Sequence, residues 1–281
     1  MSALSGFVRL YSGRPQHPVG PGGRMALSDH LREVRARLLR SATVLVVAFV
    51  VALFFYDQLL DLVLDPYNDA RAALPDTIET KAYIASAGGP LLLQLKLCGV
   101  AAIVASSPYW LYQIWAFIVP GLHPGEKHWT RLFAGVAGPL FIGGVALGYY
   151  VLPKGLEVLI GFTPDGLENL VEFGEYFSFF TRMMLVFGIA MEIPLFVIML
   201  NLAGVLSGQV LGRYRAWIIV GTFVFAAVAT PSTDPFSMLM LAVPMLVLFL
   251  VAEAVSRLID RRRGRGAHGT DQWDDDEVST L

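Results

Sequence analysis

Six runs of mostly apolar residues, near 38–56, 91–119, 131–153, 176–204, 215–230 and 236–256, leave this chain few folds to choose from. An α-helix needs roughly 20 apolar residues to cross the ~30 Å hydrocarbon core of a bilayer. Backbone N–H and C=O groups find no water there, so only helices or closed barrels can span it. The runs are continuous and lack period-two alternation, which selects helices over barrel strands. Composition agrees. Of the 281 residues 55% are apolar and 16% charged, with mean hydropathy +0.59, against about 45–50% and about 25% in soluble domains. The expected fold is an all-α integral membrane protein with six transmembrane helices.

The flanking charges predict orientation. Arg24, Arg32, Arg35, Arg37, Arg40, Lys127, Arg131, Arg213, Arg215, Arg257, Arg261, Arg262, Arg263 and Arg265 fall on one side, 14 in all; Arg71, Lys81 and Lys154, three in all, fall on the other. Lys and Arg accumulate in cytoplasmic loops, so both termini are expected on the cytoplasmic side of the membrane. The last two helices are expected to be short. Only 14 residues lie between Arg215 and Thr230, about 21 Å of helix. Pro108, Pro120, Pro139, Pro153, Pro194 and Pro244 fall in or at the ends of the spans. Each removes a backbone donor and favours a bend, which suggests a curved bundle. Gly144 and Gly148 have the GxxxG spacing of close helix packing within the chain.

Residues 1–24, rich in Gly, Pro and Ser, read as a disordered extension, with Met25 an alternative start. Residues 25–257 form the membrane domain and 258–281 a disordered cytoplasmic tail. Cys98 is the single cysteine, which excludes intrachain disulfides and thiolate metal cages. A net charge of −2 points away from nucleic acid. No HExxH, GxSxG, P-loop or GxGxxG is present, and the five His are scattered through loops and surface helix. We therefore expect no catalytic residues, no metal and no cofactor.

A few polar residues stand out against this background. Glu192 lies mid-span in Gly188-Ile-Ala-Met-Glu-Ile-Pro194. A carboxyl there is costly and should face the bundle interior or a wet cavity, as a partner-binding or protonatable site or as a neutral structural acid. Arg182, Gln94 and Lys96 lie nearer the ends of their spans and can snorkel. Before the first span, Leu27, Leu31, Val34 and Leu38 share one face of an amphipathic helix. Glu33 stands four residues before Arg37, the favourable order for a helical ion pair; the alternative is a carboxylate held for a cationic ligand. Glu126 is an acid in a basic-side loop. Asp234 is matched to an N-cap before Pro235. The first loop on the opposite side is an acidic cap in which Pro66 is expected to fix a turn.

Several of these stretches resemble one family. Asp29-His-Leu-Arg-Glu-Val-Arg-Ala-Arg-Leu-Leu39 is similar to the opening "HLxELRxRLL" of TatC, the large subunit of the twin-arginine protein translocase. Ser107-Pro-Tyr-Trp-Leu-Tyr-Gln-Ile-Trp-Ala-Phe-Ile118, Phe187-Gly-Ile-Ala-Met-Glu-Ile-Pro194 and Thr230-Pro-Ser-Thr-Asp-Pro-Phe236 follow in the family's order. The chain departs from the family's pattern at Met238, at Gly89-Pro90-Leu91 and in carrying Arg182. The resemblance implies a receptor that binds Arg-Arg signal peptides of folded cargo at the cytoplasmic face. It implies assembly with single-span TatA- and TatB-type subunits, homo-oligomers within the translocase, and export driven by the proton-motive force. It places signal-peptide binding on Glu33 and Glu126, with Arg35 and Phe117 beside them. An intramembrane polar or partner-docking role falls on Glu192 and Thr230, and Pro66 and Asp234 fall on the outer side. The rival reading from the residues alone is a proton-coupled small-solute transporter using Glu192, which would be expected to show internal repeats.

Overall fold

The amphipathic segment and the first apolar run form one continuous helix, α1 (Leu27–Phe54), because the stretch contains neither Pro nor Gly. The computed structural model describes residues 27–75, 80–122, 127–164, 167, 169–230 and 235–262, and it leaves aside the side chains of 27–30, 119–131 and 134. The terminal extension 1–24 and most of the expected tail lie outside the described residues.

After α1 comes α2 (Tyr56–Ala73), which corrects one expectation. Pro66 does not fix a turn; it lies buried inside this helix. An interior proline leaves the carbonyl four residues earlier without its N–H partner. That carbonyl is Leu62 O, and the Tyr149 hydroxyl donates to it at 3.1 Å. One residue on, the Tyr176 hydroxyl donates to Val63 O at 2.5 Å. Two phenols from other helices thus satisfy the region around Pro66, and the helix continues.

The second apolar run is a broken helix, α3 (Gly89–Ala105) followed by α4 (Ser107–Leu122), bent by 53°. Pro108 supplies the break, and at the bend the Trp110 indole N–H donates to the Ile103 carbonyl at 2.9 Å. The remaining helices are α5 (Lys127–Gly161), α6 (Phe173–Leu202), α7 (Gly208–Arg213), α8 (Arg215–Ala229) and α9 (Pro235–Arg262).

Among the described residues, segments of α1, α5, α6 and α9 are each long and apolar enough to cross a membrane, and the α3–α4 pair makes a fifth such unit. Helix α8, with 15 residues, is the short apolar helix that the sequence led us to expect. The expectation of a short last helix needs amending. Its apolar stretch ends at Ala252, yet the 28-residue α9 runs on to Arg262. It continues because the buried Glu253 and Asp260 find polar partners on neighbouring elements.

Helices α5 and α6 form the centre. A Cβ at Gly144 would lie 2.5 Å from Phe187 O and 2.9 Å from Gly188 Cα, so the two backbones touch where the GxxxG spacing predicted close packing. One apolar core gathers Val63, Leu152, Met183, Phe187 and Leu241. A second, toward the basic end, gathers Leu111, Trp115, Phe141, Leu195 and Ile259. At the opposite end an unexpected two-stranded parallel sheet pairs β1 (Thr80–Tyr83) with β2 (Asn169–Glu172), Thr80 opposite Asn169. It ties the connection after α2 to the connection after α5. Tyr67 and Thr80 join it to α2 through a 3.0 Å hydroxyl contact.

Candidate functional site

At the basic end, α1 lies against α3 and α4. The i,i+4 pair read from the sequence is present: Arg37 Nε and Nη2 donate to Glu33 Oε1 at 3.0 and 2.5 Å. Arg37 Nη1 also reaches Gln113 Oε1 on α4 at 3.3 Å. The guanidinium therefore clamps α1 to α4 and holds the Glu33 carboxylate in one orientation. Both bonds fall on Oε1, and neither falls on Oε2. Beside the clamp a shallow groove of about 160 Å³ runs between the helices, lined by Val34, Leu38, Ile114 and Phe117 among others. Phe117 is half-buried and Arg35 is exposed. Helix α4 ends at Leu122, four residues before Glu126, which lies outside the described residues.

Glu192 sits on α6 ten residues before its end at the basic side, about 15 Å by helical rise. Both carboxylate oxygens are buried and make no hydrogen bond among the described residues. The side chain facing them is Trp115 of α4, itself stacked on Phe133 with ring centroids 5.4 Å apart. A carboxyl whose nearest polar neighbour is one indole N–H, short of full hydrogen-bond geometry, is destabilising unless something else engages it.

Thr230 ends α8, and its buried hydroxyl donates to Ala226 O at 2.8 Å. That bond occupies its proton but leaves the oxygen able to accept. Asp234 lies outside the described residues, so its expected cap on α9 is not part of the described geometry. Pro66, buried in α2 near the opposite end, stands apart from the Glu33 groove.

Two clusters were missed in the sequence. Arg215 and Arg257 both pair with Glu253 Oε1, at 2.6 and 2.8 Å. Asp260 accepts from Asn201 Nδ2 at 3.0 Å and from the Gly208 backbone N–H at 2.6 Å. The second holds α7 against α9, and the close approach explains the glycine: a Cβ at Gly208 would stand 2.6 Å from Arg257 N. The signal that could have found them was two acids, Glu253 and Asp260, placed seven apart within an apolar-to-basic helix end.

Several helices long and apolar enough to cross a bilayer, with much of that apolar surface left exposed, define a polytopic helical membrane protein. The comparisons make the class specific. The family model described as Sec-independent protein translocase protein (TatC) matches residues 29–244. A protein of that name from Frankia casuarinae is 41% identical over 266 residues, spanning 92% of this chain and 73% of the relative. One from Xylanimonas cellulosilytica is 40% identical over 242 residues, spanning 86% and 87%. A crystal structure titled as the twin-arginine translocase receptor TatC superposes with a TM-score of 0.63 at 28% identity, covering 82% of this chain and 98% of that one. The chain belongs to the TatC family, and it is a component of the Sec-independent protein translocase rather than an enzyme.

Proposed function

We propose that this chain is the receptor subunit that recognises the paired arginines of a folded cargo's signal peptide at the cytoplasmic face, through Glu33 and Glu126. The observation that carries the reading is the Glu33 clamp. Arg37 takes only Oε1 of that carboxylate, and the same guanidinium lines an apolar groove together with Phe117. Guanidinium is planar and permanently charged, so a held carboxylate suits it better than it suits Lys. Glu126, four residues beyond α4, would take the second arginine, and Arg35 would stand at the rim. The apolar groove suits the hydrophobic part of a signal peptide that continues toward the bilayer.

The remaining assignments follow the same logic. With both termini inside, the basic end faces the cytoplasm. Glu192 and Thr230 are polar groups in or at the edge of the membrane that a single-span subunit of TatA or TatB type could engage, with Asp234 and Pro66 supporting the outer side. Several copies would assemble within the translocase, and the proton-motive force would drive export.

The test is site-specific crosslinking of an Arg-Arg signal peptide to the reconstituted chain. Glu33→Ala with Glu126→Ala should abolish crosslinking while membrane insertion is unchanged. Crosslinking of the double variant at wild-type yield would end the assignment.

A further inference from the structure

Lys96 on α3 and Arg182 on α6 are two charges that receptor function leaves without a role. Both helices begin at the end opposite the basic face. Lys96 lies seven residues into α3 and Arg182 nine into α6, about 10 and 14 Å along their axes. Helical side chains lean toward the N-terminus, so both reach back toward that interface. Both are exposed, and neither makes an ion pair or hydrogen bond among the described residues.

The two cations line one groove between α3 and α6. Its upper part, about 560 Å³, is polar, with Glu172, Glu175 and Ser178. It is continuous with a more apolar part of about 430 Å³ bordered by Gly99, Val100, Ile103 and Phe177. A Cβ at Gly99 would meet nothing within 4 Å, so that path is open. Thr181 Oγ1, on the same wall, is buried without a hydrogen-bond partner. Glu172 is fixed at the mouth by the fold itself, since it caps α6 by accepting from the Glu175 N–H at 2.8 Å.

We propose that this groove binds the headgroup of an aminophospholipid, with the phosphate between Lys96 and Arg182 and the amine at Glu172 and Glu175. The order of charge along the groove matches that headgroup: cations lie deeper, carboxylates shallower. Guanidinium and ammonium meet phosphate oxygens through charge-assisted bonds, and Thr181 Oγ1 offers one more donor. The acyl chains then run over Gly99, Val100 and Ile103, which a soluble phosphate could not use. The site needs only that this end of α3 and α6 be embedded in a bilayer; under the orientation proposed above, the leaflet is the outer one.

Native mass spectrometry of the full chain, released from bilayers of phosphatidylethanolamine, phosphatidylcholine and phosphatidylglycerol in equal amounts, tests this. Phosphatidylethanolamine should be retained preferentially. Lys96→Gln with Arg182→Gln should cut its retention by about tenfold or more, the scale expected on removing two charge-assisted contacts. Lys96→Arg with Arg182→Lys should preserve most of it, and Gly99→Leu should lower it without touching a charge. Lys154→Gln, a cation elsewhere at the same end, should leave it unchanged. Glu33→Ala with Glu126→Ala should also leave it unchanged, so this inference and the receptor reading fail separately. Equal retention of the three lipids, wild-type retention by the Lys96 and Arg182 double variant, or displacement by inorganic phosphate would overturn the proposal.

Discussion

The Arg215 guanidinium meets the Glu253 carboxylate along both edges, Nε to Oε2 at 3.0 Å and Nη2 to Oε1 at 2.6 Å. The pair joins the start of α8 to α9 across 38 residues of sequence. Arg257 adds a second cation from one turn further along α9. The carboxylate is buried, with 3% of its side chain exposed, while the two arginines are about half exposed.

That asymmetry predicts unequal effects of substitution. Glu253→Ala leaves two guanidiniums converging on an empty, half-desolvated position, whereas Arg215→Ala leaves Glu253 with Arg257 and removes a charge that water can already reach. Thermal unfolding in detergent should show a clear loss of Tm for Glu253→Ala and a smaller one for Arg215→Ala. Equal effects would mean the network does not act through the buried acid.

Two neighbouring glycines should behave in opposite ways. Gly144→Ala drives a methyl into Phe187 O and Gly188 Cα, so α5 and α6 must separate; overpacking of this kind costs about 1–3 kcal/mol. At Gly143 an added Cβ meets nothing within 4 Å. Gly143→Ala should be neutral or stabilise by up to about 1 kcal/mol through helix propensity. Urea or thermal unfolding of the two variants side by side gives the comparison.

Glu192 should trade stability for function. Its oxygens are buried without hydrogen bonds among the described residues, and an unsatisfied buried polar group costs about 1–3 kcal/mol. Glu192→Met should therefore raise Tm while lowering co-purification of single-span subunits. Glu192→Gln should preserve assembly if the acid is uncharged in place. A Met variant that is less stable than wild type would show that the carboxyl is satisfied after all.

Glu33 should show the reverse separation. An i,i+4 helical pair contributes only about 0.3–0.5 kcal/mol, so Glu33→Gln should barely move Tm. Binding of an Arg-Arg peptide should nevertheless fall steeply. For the wild type it should weaken as ionic strength rises, because the contact lies at a solvent-facing surface. Affinity measured from low to moderate salt, with a Lys-Lys peptide as control, checks both points.

Much of the fold was legible along the chain because the signals are local. Apolar runs located the helices, the four-residue spacing located the Glu33–Arg37 pair, and Gly144 with Gly148 located the close approach of α5 to α6. The candidate site was legible in part. Glu33, Phe117 and Glu192 were named, and the structure joins Glu33 to the Phe117 groove through Arg37 and Gln113. Gln113 carried no signal of its own, since a lone glutamine in an apolar helix acquires a role only when another helix brings Arg37 to it.

Which segments must be helices in a bilayer can be read along the chain, since transfer to hydrocarbon depends on residues within one stretch. The chain alone also shows which carboxylates would be conspicuous there. Tertiary structure alone decided how the exceptions are accommodated. Pro66 continues a helix because Tyr149, 87 residues from the Leu62 carbonyl, supplies the missing donor. Glu253 prolongs α9 because Arg215 arrives from another helix. A hydrogen-bond deficit is visible in the sequence, but the group that fills it is chosen by packing, and packing brings together residues that the sequence holds far apart.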